Sequence, residues 1–203
     1  MPLFQQKNIA NNIKVGVWHI TENQEGLINK AAGLNINLSE IPQTKSDNRI
    51  KQWIATRLLL NHFFNDVEII YDKLGKPSLS NNWNISISHS GDYVAIIINS
   101  TKYCGIDIEK VTTKVERIKH KFLNNDDLKN ITSHEHLTLY WGAKEALYKY
   151  YGKKEVLFIE NLFIKGFSEQ ENSFSGVINM PDFKTEIKME WEKIDDYLLV
   201  YTL

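Results

Sequence analysis

One cysteine, Cys104, is all the thiol chemistry that this chain of 203 residues carries. No intrachain disulfide can form, and zinc sites built on several thiolates are excluded, so a reducing, cytoplasmic setting is the expectation. Proline is scarce too, with 4 residues, and no Pro-, Gly- or Ser-rich stretch divides the chain. A freely swinging linker is therefore not expected. Charge of one sign is also missing: 24 Lys and Arg stand against 25 Asp and Glu, a formal net charge of −1. No global field draws in nucleic acid or an anionic membrane. The longest apolar run, Tyr93 to Ile98, is far short of the roughly 20 residues that a membrane span needs. The opening MPLFQQKN has no basic segment leading into an apolar one, so no signal peptide is expected. What remains, 42% apolar and 24% charged residues, is the balance of a soluble globular protein.

Hydrophobic periodicity predicts a mixed chain. Strands are expected at 13–20, at VEIIY (67–71), at 84–88 and 93–99 around a four-residue polar loop, and at 104–109. Helices are expected at 23–33, closing near Gly33, at about 47–64, in a region beginning at 114–122, and strongly at 134–151. The last third offers strands at VLFI, FSGVINM, FKTEIKMEW and YLLVYTL. The fold class expected is α+β, in two similar lobes, 1–102 and 103–203.

The segment GIDIE (105–109) carries chemistry. Strand side chains alternate, so Ile106 and Ile108 can enter a core while Asp107 and Glu109 share the other face. Two neighbouring carboxylates repel unless they are hydrated or share a cation, and both readings stay open on these five residues. In WGAKEALYK (141–149), Trp141, Glu145 and Lys149 recur at i, i+4 and i+8 on one helical face. A surface salt-bridge ladder is one reading, but a tryptophan on the same stripe favours the border of a pocket. Asp107, Glu109 and Glu145 together make an all-oxygen donor set suited to Mg²⁺, and adjacent lysines suit phosphate.

Four blocks in order, LGKP (74–77), ISHSG (87–91), GIDIE (105–109) and WGAKEALYK (141–149), resemble the Sfp-type 4′-phosphopantetheinyl transferases. A weaker fifth places Arg49, Trp53 and Arg57 four apart on one helix. The resemblance covers about residues 45–155. It implies two pseudo-symmetric α+β lobes with the active site in the cleft between them, the first lobe contacting the coenzyme A nucleotide and the second holding metal and catalytic carboxylates. The implied reaction moves 4′-phosphopantetheine from coenzyme A to a serine of an apo acyl or peptidyl carrier protein, releasing 3′,5′-ADP. Asp107, Glu109 and Glu145 would hold Mg²⁺. Glu145 would act as general base, directly or through water, and Lys149 would stabilise the transferring phosphate. Lys144 would be a second phosphate contact. Arg49, Lys76, Pro77, Ser88 and His89 would bind the coenzyme A nucleotide side, while Arg57 is equally suited to a structural ion pair.

Other readings of the same residues are a metal-dependent phosphohydrolase acting on coenzyme A or a nucleotide, and a carrier-binding module without turnover. The carrier would dock near 112–133, with Val115, Ile118, Phe122 and Leu123 as candidate apolar contacts. Trp191, Tyr197 and Tyr201 read as core, and His134 and His136 as capping or solvated residues. A monomer is expected, because two lobes already provide what a dimer interface would.

Overall fold

Alternating apolar residues place one antiparallel sheet in each of two units, Met1–Lys102 and Tyr103–Leu203. The computed structural model describes residues 3–168 and 170–203, with Leu3 and Phe4 described by their backbone alone. The N-terminal reading of Met1 and Pro2 lies outside the described residues. Among them, no helix is long and apolar enough to cross a membrane.

The first unit runs β1 (Leu3–Ala10), β2 (Ile13–His19), α1 (Gln24–Gly33), α2 (Asp47–Asn61), β3 (Ile69–Tyr71), β4 (Pro77–Leu79), β5 (Asn84–Ser90) and β6 (Tyr93–Asn99). The strand order is β1-β2-β6-β5-β4-β3. Val94, Ile96 and Ile98 of β6 pack with Leu27 and Ala31 of α1 and with Ile54, Leu58 and Leu59 of α2. Ser46 caps α2, its hydroxyl accepting from the Arg49 N–H. Three details differ from the sequence expectation. β1 is a strand that its sequence LFQQKNIA does not announce, because an edge strand needs no apolar alternation to pair. α1 runs through Gly33, and the left-handed residue beyond it is Asn35. The expected four-residue hairpin loop is a two-residue turn. Ser90 pairs with Tyr93, and Gly91 at φ +53° and Asp92 make the reversal.

The second unit runs β7 (Ile106–Lys110), a 3-10 helix (Val115–Lys121), α3 (Asn125–Lys129), α4 (His134–Tyr151), α5 (Phe158–Asn161), β8 (Leu162–Lys165), β9 (Ser173–Asn179), β10 (Lys184–Ile194) and β11 (Tyr197–Thr202). Its strand order is β7-β11-β10-β9-β8, so β7, the first in sequence, sits at an edge beside β11, the last. Helix α4 lies across this sheet, with Ala143, Ala146 and Leu147 against Leu198, Val200 and Met189. Ser133 caps its start, and Gly152 ends it in the left-handed conformation at φ +68°. Tyr197 and Tyr201 are buried as expected. VLFI is not a strand: its end forms the single turn α5, where Asn161 Oδ1 accepts from the Leu157 N–H at 2.8 Å, and pairing begins only at Leu162. That side-chain bond offers the backbone a local alternative to the ladder.

Candidate active site

β7 presents its carboxylates as alternation requires. Ile106 and Ile108 are fully buried. In the ladder, Val200 pairs with Asp107 and Leu198 with Glu109. Asp107 is only 3% exposed and Glu109 half-buried. The strand can lie close under α4 because Gly105 has no side chain: a Cβ there would sit 1.9 Å from the Ala146 carbonyl oxygen. One turn earlier on the helix, a Cβ on Gly142 would meet Asp107 Oδ2 at 3.4 Å. The glycine of GIDIE and the small residues of WGAKEALYK thus set the distance between the strand and the helix that carry the charges.

Across that junction, Lys149 Nζ donates to Asp107 Oδ1 at 2.7 Å and to the Ile106 carbonyl at 3.0 Å. Glu145 lies half-buried one turn before Lys149. Burial pushes its carboxyl up to about 7, the negative charges of Asp107 and Glu109 push the same way, and Lys149 partly offsets them. Asp107, Glu109, Glu145 and Lys149 therefore form one electrostatic cluster. Among the described residues, no group of three or more His, Cys, Asp or Glu side chains is arranged to hold a metal ion by itself.

Two expectations are corrected. Lys144 does not face a phosphate: it is 0% exposed, and Nζ donates to the Phe122 carbonyl (2.6 Å), Asp127 Oδ2 (2.6 Å) and the Phe158 carbonyl (3.4 Å). Its three N–H bonds are spent inside the protein, and burial lowers its pKa, with Asp127 opposing the shift. The helical spacing places Lys144 about 100° from Glu145, on the buried side. Secondly, Val115, Phe122 and Leu123 are core residues, packed with Leu137 and Tyr140, rather than exposed apolar contacts. Trp141 is inserted between Phe122 and Phe158, with ring centroids 5.0 and 5.8 Å away. At the start of α4, His136 Nδ1 lies 2.9 Å from Thr132 Oγ1, a local role rather than a metal site.

In the first unit, Arg49 is exposed in the first turn of α2. The same turn is tied to the β5–β6 hairpin, since Asn48 Nδ2 and Gln52 Nε2 both donate to the Gly91 carbonyl, at 3.2 and 2.9 Å. Sequence reading missed these two amides, which carry no motif signature. Ser88 and His89 alternate along β5, so Ser88 is buried at 6% exposure while His89 is exposed. Lys76 and Pro77 close a tight turn: Gly75 has φ +85°, and Asp72 Oδ1 accepts from the Leu74 and Lys76 N–H groups at 2.8 Å each. These bonds help hold the Asp72 carboxyl below its ordinary value. Arg57 stacks its guanidinium 3.3 Å over the Trp53 ring and donates to the Trp53 carbonyl, a structural placement.

Comparison with known proteins points to the second unit. Residues 103–202 match the 4′-phosphopantetheinyl transferase superfamily, nearly coextensive with the unit Tyr103–Leu203. The chain is 36% identical over 66 residues to the 4′-phosphopantetheinyl transferase AcpT of Escherichia coli K12, covering 31% of this chain and 34% of that protein. It is 33% identical over 75 residues to AcpT of Salmonella typhimurium, covering 35% and 38%. The match thus spans little more than a third of these relatives' length. A 27% identity over 138 residues with the phosphoribosylformylglycinamidine synthase subunit PurL of Prochlorococcus marinus covers 61% of this chain but 17% of that protein, too little to carry a role across. Residues 103–202 form a domain of the 4′-phosphopantetheinyl transferase superfamily.

Proposed function

We propose that this protein transfers 4′-phosphopantetheine from coenzyme A to a serine hydroxyl of an apo acyl or peptidyl carrier protein, releasing 3′,5′-ADP. The observation that carries the reading is the meeting of β7 and α4, where Lys149 Nζ lies 2.7 Å from Asp107 Oδ1 and Glu145 shares one electrostatic cluster with Asp107 and Glu109. A serine hydroxyl is a poor nucleophile near neutrality, so a nearby carboxylate base is needed, and one that also binds metal acts more readily through a water. Glu145 takes the serine proton, directly or through one water. The serine oxygen then forms a bond to the β-phosphorus of coenzyme A as the bond from that phosphorus to the bridging oxygen breaks. The electron pair leaves with 3′,5′-ADP. Lys149 neutralises negative charge as the phosphate passes between the two oxygens.

The donor set suits Mg²⁺ by its chemistry. Asp107, Glu109 and Glu145 are hard oxygen ligands; burial raises Glu145 most, and the repulsion from Asp107 and Glu109 that adds to it is what a divalent cation relieves. Mg²⁺ is ordinarily held by one or two carboxylates plus waters and substrate phosphates, so a closed protein cage is not required. Bound there, it would lower the repulsion between the pyrophosphate and the incoming oxygen. We assign the nucleotide contacts to Arg49, Lys76, Pro77 and His89, with Ser88 supporting the strand from its buried side.

The test is the intact mass of an apo-carrier protein incubated with the purified protein, coenzyme A and Mg²⁺. A gain of one phosphopantetheine, absent when the carrier serine is alanine, is expected. No gain on fatty acid, polyketide and peptide carriers alike would overturn the reading.

A further inference from the structure

Lys144 and Glu145 are neighbours in α4 with opposite surroundings. Glu145 lies in the carboxylate cluster, whereas Lys144 is enclosed with Asp127, itself 4% exposed. Asp127 belongs to a reciprocal cap of α3, where Asn124 Oδ1 accepts from the Asp127 N–H and Asp127 Oδ2 accepts from the Asn124 N–H at 3.1 Å. The same Oδ2 receives the Lys144 ammonium at 2.6 Å. The remaining acceptors come from separate segments, the Phe122 carbonyl beneath the 3-10 helix and the Phe158 carbonyl in α5. One ammonium therefore joins α4 to three other pieces of chain.

Stability alone is a poor reason for such a pair. Taking both charges out of water costs much of what their attraction returns, and uncharged side chains of similar volume often serve as well. What an ionic hub adds is direction. Three acceptors fix the vector along which Lys144 leaves the helix, and a helix advances about 100° per residue, so fixing that vector fixes where Glu145 points. Lys149, one turn on from Glu145, is set by the same rotation.

Resting on the function proposed above, we infer that the buried Lys144–Asp127 pair is a positioning device for Glu145 and Lys149. It sets the rotation of α4 about its axis. Lys144 touches no substrate, so its effect falls on the rate of transfer and not on coenzyme A affinity.

The test uses K144M/D127N in the full chain, which removes both charges and keeps an acceptor for the α3 cap. Melting temperature, kcat and KM for coenzyme A in the carrier assay, and a crystal structure of the variant are measured. The variant is expected to fold, to hold KM within about twofold, and to lose about 10- to 100-fold in kcat, the usual scale for a small misplacement of reacting groups. In the crystal, the Lys149 Nζ–Asp107 Oδ1 contact is expected to open. A folded variant with unchanged kcat and that contact intact would overturn the inference. Asp127→Asn, the smaller change, carries the same comparison if the double variant does not fold. If the parent protein transfers nothing, the proposed function fails, and the crystal comparison alone decides whether the pair positions the helix.

Discussion

Lys149 and Asp107 are 42 residues apart in sequence and 2.7 Å apart in space, Nζ to Oδ1, which ties the helix α4 to the edge strand β7. The contact does two jobs. It pairs one oxygen of a carboxylate that is almost wholly buried, and it holds a cation beside Glu145. Replacing Lys149 by alanine leaves Asp107 buried without its ammonium. A loss of about 1–3 kcal/mol in stability is expected, readable as a lowered denaturation midpoint. Transfer is expected to fall by about 100- to 1,000-fold, as when one donor to a developing oxyanion is removed.

Glu145→Gln separates catalysis from stability. The loss of a general base that is also a metal ligand is expected to lower kcat by about 100-fold or more and to weaken metal-dependent coenzyme A binding. Stability should move the other way. The folded-state pKa of about 7 lies above the ordinary carboxyl value of 4.5. The native state therefore holds an extra proton between those values, and stability falls as pH rises through that window. At pH 8 without divalent cations, E145Q is expected to be more stable than the parent by on the order of 2 kcal/mol. At pH 4 the two should converge. Thermal melts at both pH values check the sign, and equal melts at pH 8 would contradict the placement of Glu145.

Two glycines should respond differently to alanine. At Gly105 the added Cβ meets backbone, the Ala146 carbonyl oxygen at 1.9 Å, and strand and helix must separate. At Gly176 the nearest atoms are the Met189 sulfur at 2.5 Å and the Leu147 methyls, which can turn aside. G105A is expected to cost about 3 kcal/mol or more and to lower transfer, and G176A to cost about 1–2 kcal/mol. Urea unfolding of both variants gives the comparison.

Arg49 and Arg57, two turns apart on α2, should divide binding from stability. Arg49→Ala removes an exposed side chain and is expected to raise KM for coenzyme A with the melting temperature unchanged. Arg57→Ala removes the guanidinium stacked on Trp53 and is expected to cost about 1–2 kcal/mol with KM unchanged. The reverse pattern would exchange the two roles.

The parts of the fold legible in the sequence are those where periodicity and burial coincide. α2, α4, β6 and β11 each carry their apolar pattern through to the core. β1 was not legible, because its pairing at an edge rests on backbone bonds that leave no mark on side-chain type. The VLFI stretch misled for the converse reason: its apolar content is real, but an asparagine bond diverts the chain into a turn first. In the site, the spacing of Asp107, Glu109, Glu145 and Lys149 was readable because strand and helix periods fix shared faces. Lys144 was not, since its partner Asp127 lies 17 residues upstream on a segment whose packing no local pattern encodes. For the same reason Phe122 and Leu123, apolar beside charged neighbours, read as contact residues when they are core.

The edge position of β7 bears on how the protein is made. Asp107 and Glu109 find their ladder partners at Val200 and Leu198, about ninety residues later, and among the described residues β11 is the only strand beside β7 in its sheet. As the chain leaves the ribosome, the acidic strand must wait for nearly the whole second unit before it can pair. Closing so long a loop comes late in folding, when most other contacts can already form. The carboxylates of β7 therefore gain their ladder partner last, and a nascent chain stalled before β11 holds Asp107, Glu109 and Glu145 without the strand that aligns β7.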